Sequence, residues 1–347
     1  RDAVKYLNQV IKQDTDSNDV AEAHEKLVDI YNRLGMSHET LQQFDAILKM
    51  DPKRRDVESL RPIFASFSRY PDQSIGKQRR TIVHAEISKH GIVIPLSING
   101  KVVHWLLDTD FSMSIMSESE ARMLGLTIDN GSAHATDLNG GSTTIHSTVV
   151  PQLAIGNVQL RNVPFVIMPD SQQPWDEWPS GRKGIIGLPV AIALQAIAWK
   201  SDGTFEIGFA PKRPANRKMN LCFDAMNPIT RAQFQGRDLD LILDTGNTAG
   251  TQLWPRFATD FAAMVKQEGT KSTKQINQVG VSSIRETTLL PEISLRVGGL
   301  ETKLQPATIF SRPVGDHIHH GLLGMDMLSQ AREVRIDFRA MTLQLLP

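Results

Sequence analysis

The stretch Leu106-Leu107-Asp108-Thr109-Asp110 has a second version in the same chain, Ile242-Leu243-Asp244-Thr245-Gly246. Each closes an apolar run with Asp-Thr. Each is followed much later by two aliphatic residues and a glycine, Ile185-Ile186-Gly187 and Leu322-Leu323-Gly324. The separations agree to within one residue: 79 from Asp108 to Gly187 and 80 from Asp244 to Gly324 (187 − 108 and 324 − 244). Gly100 and Gly236 stand at the same distance before the two aspartates. One Asp-Thr turn is weak evidence. Two, each with its partner glycine, describe a duplicated unit carrying one carboxylate per copy.

Two such copies facing each other bring the carboxylates together. Carboxyl groups about 3 Å apart cannot both ionise, so they share one proton. The ionised member takes a proton from water while the protonated member gives one to a substrate carbonyl. That is general acid and general base catalysis from identical residues, with no metal, cofactor or covalent nucleophile.

On these residues the chain resembles the aspartic peptidases of the retropepsin-like and pepsin-like type, in the bacterial form of the pattern, with two lobes fused in one polypeptide. The first copy adds Ser112, Ser114 and Ile115, and later Gly184-Ile185-Ile186-Gly187-Leu188. The second adds Gly321-Leu322-Leu323-Gly324-Met325-Asp326-Met327-Leu328, a close match to the family's second signature. Segments 203–209 and 336–345 resemble its closing strands, and the resemblance covers residues 82–347. It implies a mainly β, bilobal acid-protease fold, with two duplicated β-barrel-like lobes behind a small α-helical domain. It implies that Asp108 and Asp244 hold the water. Thr109 and Thr245 would brace the turns, with Gly246, Gly187 and Gly324 as close-packed supports.

The first copy departs from the pattern. Where the family has glycine after Asp-Thr, this chain has Asp110, and the next residue is the bulky Phe111 rather than a small one. The second copy has Gly246 followed by Asn247. Glycine suits a turn where the backbone closely approaches the reacting groups. Asp110 adds bulk and a third negative charge, so the site reads either as tuned or as damaged.

Composition narrows the alternatives. The chain has 347 residues, enough for two or three compact units, and Lys+Arg balance Asp+Glu at 38 each, leaving no field to attract nucleic acid or an anionic membrane. A single cysteine excludes an internal disulfide framework, and Cys222, between Leu221 and Phe223, reads as a buried inert thiol. The longest apolar stretch, 185–199, is interrupted by Gly187, Pro189 and Gln195 and is too short to span a bilayer. The first residue is Arg1. A removed leader would favour a periplasmic or secreted protein, and without one the cytoplasm stays open.

Residues 1–75 are different material. From Val20 to Lys49 apolar residues recur at helical spacing, with Leu27, Ile30, Tyr31 and Leu34, then Leu41, Phe44, Ile47 and Leu48. Gly35 separates the two runs, Asp51-Pro52 ends the second, and 3–13 and 56–68 read as flanking helices. The spacing resembles one tetratricopeptide repeat, which leaves two readings: a docking surface for a protein partner, or a helical cap on the rest. Pro71 to Gly76 reads as a linker. The expected domains are 1–75, helical; 76–212, first lobe; and 213–347, second lobe.

Beyond the linker the pattern becomes strands. Asn139-Gly140-Gly141 lies between two alternating runs and is a hairpin signal. By position it resembles the family's flap, which closes over substrate. Residues 275–286, tipped by Val279-Gly280, hold the same place in the second copy. Weaker signals remain. His317, His319 and His320 lack a glutamate at helical spacing and read as loop and strand rather than metal ligands. Asp238, Asp240 and Asp244 share a strand face, and Trp175 and Trp178 either line a pocket or anchor a loop. The expected activity is endopeptidase action on an extended polypeptide. The rival is a catalytically silent peptide-binding protein that keeps the cleft without turnover.

Overall fold

The computed structural model of the chain describes all residues except 1, 15, 78–79, 137–141, 173, 209–218, 248, 279–280 and 313–317. The chain is mainly β, and its helices concentrate at the N-terminus. Four come first: α1 (Asp2–Gln13), α2 (Ser17–Arg33), α3 (Ser37–Met50) and α4 (Arg55–Phe67). Asp16 caps α2 by accepting a hydrogen bond from the Asn18 backbone N–H at 2.8 Å. Gly35 turns the chain between α2 and α3 at φ +68°, a conformation glycine adopts without Cβ strain. The apolar stripes read from the sequence are the buried faces: Leu27 of α2, Phe44 and Ile47 of α3, and Val57, Ile63, Phe64 and Phe67 of α4.

Each copy of the duplicated unit then builds the same sheet centre. In the first, strand Lys101–Leu107 runs parallel to Gly184–Ile186, which pairs antiparallel with Ser114–Ser117, which runs parallel to Val158–Met168. In the second, Arg237–Leu243 runs parallel to Gly321–Leu323, which pairs antiparallel with Gln252–Leu253, which runs parallel to Ala307–Phe310. The strand leading to each aspartate begins at a two-residue hairpin turn. Asn99 and Gly100 lie at φ 49° and 77°, Gln235 and Gly236 at 47° and 77°. Two successive positive φ values match the twist of the strands they join, which explains the two equally placed glycines.

The closing segments do what their sequence does not reveal. Ala196–Lys200 of the first half pairs antiparallel with Glu333–Asp337 of the second, inside a sheet that also holds Thr81–His84, Thr204–Ile207 and Thr342–Leu346. One apolar core runs through both halves beneath this sheet, including Leu107, Met116 and Ile186 from the first and Leu243, Leu253 and Leu323 from the second.

Because side chains alternate along a strand, Leu106, Ile115 and Ile185 lie on the opposite face. There they join Phe44, Ile47, Ile63, Phe64 and Phe67 in one apolar cluster. Helix α4 packs on strands Asp129–Thr136 and Ser142–Ile155, the hairpin expected as a flap, with Ser147 Oγ 2.7 Å from Ser66 Oγ. The α2 end reaches the other half. Arg33 donates to the Ala225 carbonyl, and its guanidinium lies 4.6 Å from the centre of the Phe223 ring.

The segment read as a linker is tied down rather than free. Ser74 and Ile75 pair antiparallel with Arg161 and Leu160, Gln73 N–H donates to the Gly35 carbonyl, and Gln73 Nε2 donates to the Pro189 carbonyl. Backbone donors in this stretch satisfy themselves on the sheet edge, an option invisible in its short, turn-like composition. The reading of Cys222 also needs correction: the thiol is exposed, since the short strand Leu221–Asp224 turns it outward. Partial burial and nearby Asp240 push it up from its ordinary value, so it is a poor nucleophile at neutral pH.

Candidate active site

Both Asp-Thr turns follow the central strand of their half, and each is fixed from three sides. The Asp108 N–H donates to the Ile186 carbonyl, and the Asp244 N–H to the Leu323 carbonyl, so each turn hangs on the strand of its partner glycine. The next N–H folds back onto the carboxylate: Asp110 N to Asp108 Oδ1 at 2.9 Å, and Gly246 N to Asp244 Oδ1 at 2.8 Å. The threonines then lock one turn to the other. Thr109 Oγ1 donates to the Leu243 carbonyl at 2.6 Å and accepts from Thr245 N at 3.2 Å. Thr245 Oγ1 donates to the Leu107 carbonyl at 2.7 Å and accepts from Thr109 N at 3.1 Å. Both hydroxyls are fully buried, so each uses its one proton and a lone pair across the seam.

This lock sets the two carboxylates side by side. Asp108 and Asp244 are hydrogen-bonded through their side chains, at 9% and 8% exposure. Burial lifts the Asp108 carboxyl to about 6 against the backbone N–H groups of Asp110 and Phe111 that hold it down. Burial, then the charges of Asp108 and Asp110, raise Asp244 well above the ordinary carboxylate range. Both members of the pair therefore hold a proton more tightly than an ordinary carboxyl does.

The glycines act by leaving space. A Cβ on Gly246 would lie 2.1 Å from Asp108 Oδ2, and one on Gly187 would lie 2.6 Å from the Met113 backbone. On Gly324 it would lie 3.1 Å from the backbone of Gly250 and Thr251. The N–H of Gly187 donates to Ser114 Oγ at 3.0 Å, and that of Gly324 to Thr251 Oγ1 at 3.0 Å. Asp326 fixes Thr251 in turn, accepting from its N–H at 2.9 Å and its hydroxyl at 2.6 Å. Thr251 and the bracing by Asp326 escaped the sequence reading. The second copy has one more residue between Asp244 and Thr251 than the first has between Asp108 and Ser114, which hides the match.

Of the residues expected at the site, Asp108, Thr109, Asp110, Gly187, Asp244, Thr245, Gly246 and Gly324 converge. The expected hairpin tips, Asn139, Gly140, Gly141, Val279 and Gly280, lie outside the described residues. Their stems are antiparallel ladders, Asp129–Thr136 with Ser142–Ile155 and Thr270–Gln278 with Val281–Leu290. His317 also lies outside the described residues. His319 Nε2 faces Asp224 at 2.9 Å, and His320 is held between Asp260 and the Asp240 N–H, each at 3.0 Å. Asp238 pairs with Gln233 and Arg231 on the exposed hairpin face. Trp175 is fully buried, edge-to-face with Trp178 at 5.5 Å, and so anchors its loop.

Residues 94–190 match a protein-family model described as aspartyl protease. No curated protein matches the chain. Among solved structures, one similar chain is a retropepsin-like aspartic protease from Rickettsia conorii, at 15% identity and a TM-score of 0.28, covering 38% of this chain and 100% of that one.

Proposed function

We propose that the chain is an aspartic endopeptidase that hydrolyses an extended polypeptide with water activated between Asp108 and Asp244. The observation that carries this reading is the reciprocal threonine lock, which brings two carboxylates from separate copies side by side. Asp108, ionised, accepts a proton from water as its oxygen attacks the carbonyl carbon, and Asp244 donates its proton to the carbonyl oxygen. Collapse of the tetrahedral intermediate breaks the C–N bond, with the proton on Asp108 passing to the leaving nitrogen and one hydroxyl proton of the intermediate returning to Asp244.

The domain division at 75 and 212, the flap roles of both hairpins and the tetratricopeptide-like character of α2 and α3 belong to the same reading. A second reading, a silent peptide-binding protein, is favoured by Asp110, which stands where its counterpart Gly246 has no side chain, and by the bulky Phe111 after it. A diverse peptide mixture incubated across pH 3–8 with mass-spectrometric detection tests both. Cleavage by the native protein and its loss in Asp244→Asn, with folding unchanged, supports the peptidase. Substantial cleavage remaining in Asp244→Asn would end the dyad hypothesis.

A further inference from the structure

Asp110 is the residue of the centre that the dyad mechanism leaves unused. Its backbone does the same work as Gly246, donating to the carboxylate two residues earlier at almost the same length. Its φ is not in the left-handed region, and the threonine lock across it is intact, so the side chain is accommodated without distorting the turn. The Asp110 N–H reaches Asp108 Oδ1 at 2.9 Å, so residue 110 stands directly beside the dyad. Asp244 feels the charge of Asp110, and Asp110 that of Asp108, so three carboxyl groups share one centre.

The third carboxyl differs from the other two in its bonding. Asp110 Oδ1 is buried and finds no hydrogen-bond partner among the described residues, whereas the dyad oxygens are bonded to N–H groups and to each other. A buried polar atom left unpaired is costly, and in a native site it calls for a partner that arrives later. Asp110 is more exposed than either dyad residue. Burial, and then repulsion by Asp108, hold its carboxyl well above the ordinary range, so it keeps its proton more tightly than an ordinary carboxyl does.

We propose that Asp110 is a third catalytic carboxyl, a neutral acid that donates a hydrogen bond to the oxygen of the scissile carbonyl as the tetrahedral intermediate forms. The inference rests on the peptidase reading. The proton of Asp110 stays on its own oxygen throughout. The carbonyl oxygen takes its proton from Asp244, water loses one to Asp108, and the overall change remains amide plus water to acid plus amine. A donor placed where negative charge develops lowers the barrier, as in other sites that keep a carboxylic acid neutral.

The test compares the native protein with Asp110→Asn, Asp110→Ser and Asp110→Gly on one peptide that the native protein cleaves. Asn and Ser keep a donor. Gly removes it and also relieves the crowding. The expected result is a fall in kcat of about 100-fold for Asp110→Gly with KM little changed, against no more than about tenfold for Asn or Ser. The alkaline limb of the pH–rate profile should change in Asp110→Asn, which has no proton to lose there, whereas a merely structural role would leave the limb in place. An Asp110→Gly protein as fast as the native one, or faster, overturns the proposal and leaves the peptidase reading standing. So does an Asn variant as slow as the Gly variant. If none of the four proteins, native included, cleaves any peptide between pH 3 and 8, the peptidase reading and this inference fall together.

Discussion

Removing residues 1–75 is the perturbation that most directly separates a docked domain from an integral one. Helices α3 and α4 cover the face of the first half that carries Leu106, Ile115, Ile145, Val149, Val166 and Ile185, none more than 8% exposed. Full burial of such side chains is worth about 1.5–3 kcal/mol each, so together about 9–18 kcal/mol. Re-exposing even half of that area costs about 5–9 kcal/mol, comparable with the roughly 5–15 kcal/mol by which a whole native protein is stable. The deletion also removes the contacts of Ser66 with Ser147 and of Arg33 with the second half. The 76–347 fragment should therefore fail to give a cooperative melt, lose near-ultraviolet circular dichroism and bind a hydrophobic dye. Phe64→Ala is the milder form. The ring is 3% exposed, edge-to-face with Phe44 at 5.2 Å and Phe67 at 5.7 Å. Its loss should cost about 3–5 kcal/mol, on the order of 10 °C in Tm. A soluble fragment with a sharp melt and a native near-ultraviolet spectrum would refute this reasoning and restore a separable helical domain.

Other outcomes follow from the site. Thr245→Val strands the Thr109 N–H and the Leu107 carbonyl, so denaturant unfolding should show a loss of about 2–5 kcal/mol, while Thr245→Ser should recover most of it. Gly246→Ala forces a methyl group onto Asp108 Oδ2 and should abolish cleavage in the peptide assay, although the change is a single carbon. Stability should also depend on pH through Asp108. Its carboxyl lies at about 6, above its unfolded value near 3.8, so the folded state holds the proton more tightly. That contribution is fully present below about pH 4 and is lost as pH rises through 6, on the order of 3 kcal/mol. Urea titrations at pH 4 and 7 should show the difference, and Asp108→Asn should reduce it, leaving the part that Asp244 and Asp110 contribute; an equal slope in the variant would place the proton elsewhere.

Much of the site was legible because its signals are local and repeated. An apolar strand, an Asp-Thr turn and a distant glycine recur at equal separations, and each residue does a job that its own chemistry requires. The helices were legible for the same reason, since a 3.6-residue stripe is written in consecutive positions. Thr251 was hidden by a one-residue difference between the copies. Cys222 was misread because a run of three apolar residues does not say which of them a short edge strand turns outward.

The sequence by itself determined that two equivalent units exist, that each brings one carboxylate, and that helices precede them. Only the tertiary structure decided what those parts face. Strand Ala196–Lys200 could close its own half, yet it pairs with Glu333–Asp337 and joins the two. Pro71 to Gly76 reads as a tether, yet its backbone adds to a sheet edge. Asp110 reads as an ordinary acidic residue, yet burial beside Asp108 raises its carboxyl well above the ordinary range. In each case the deciding quantity is the free energy of a group in its surroundings, whether an edge N–H seeking a partner or a carboxyl seeking solvent. Those surroundings are assembled from residues far apart in the chain.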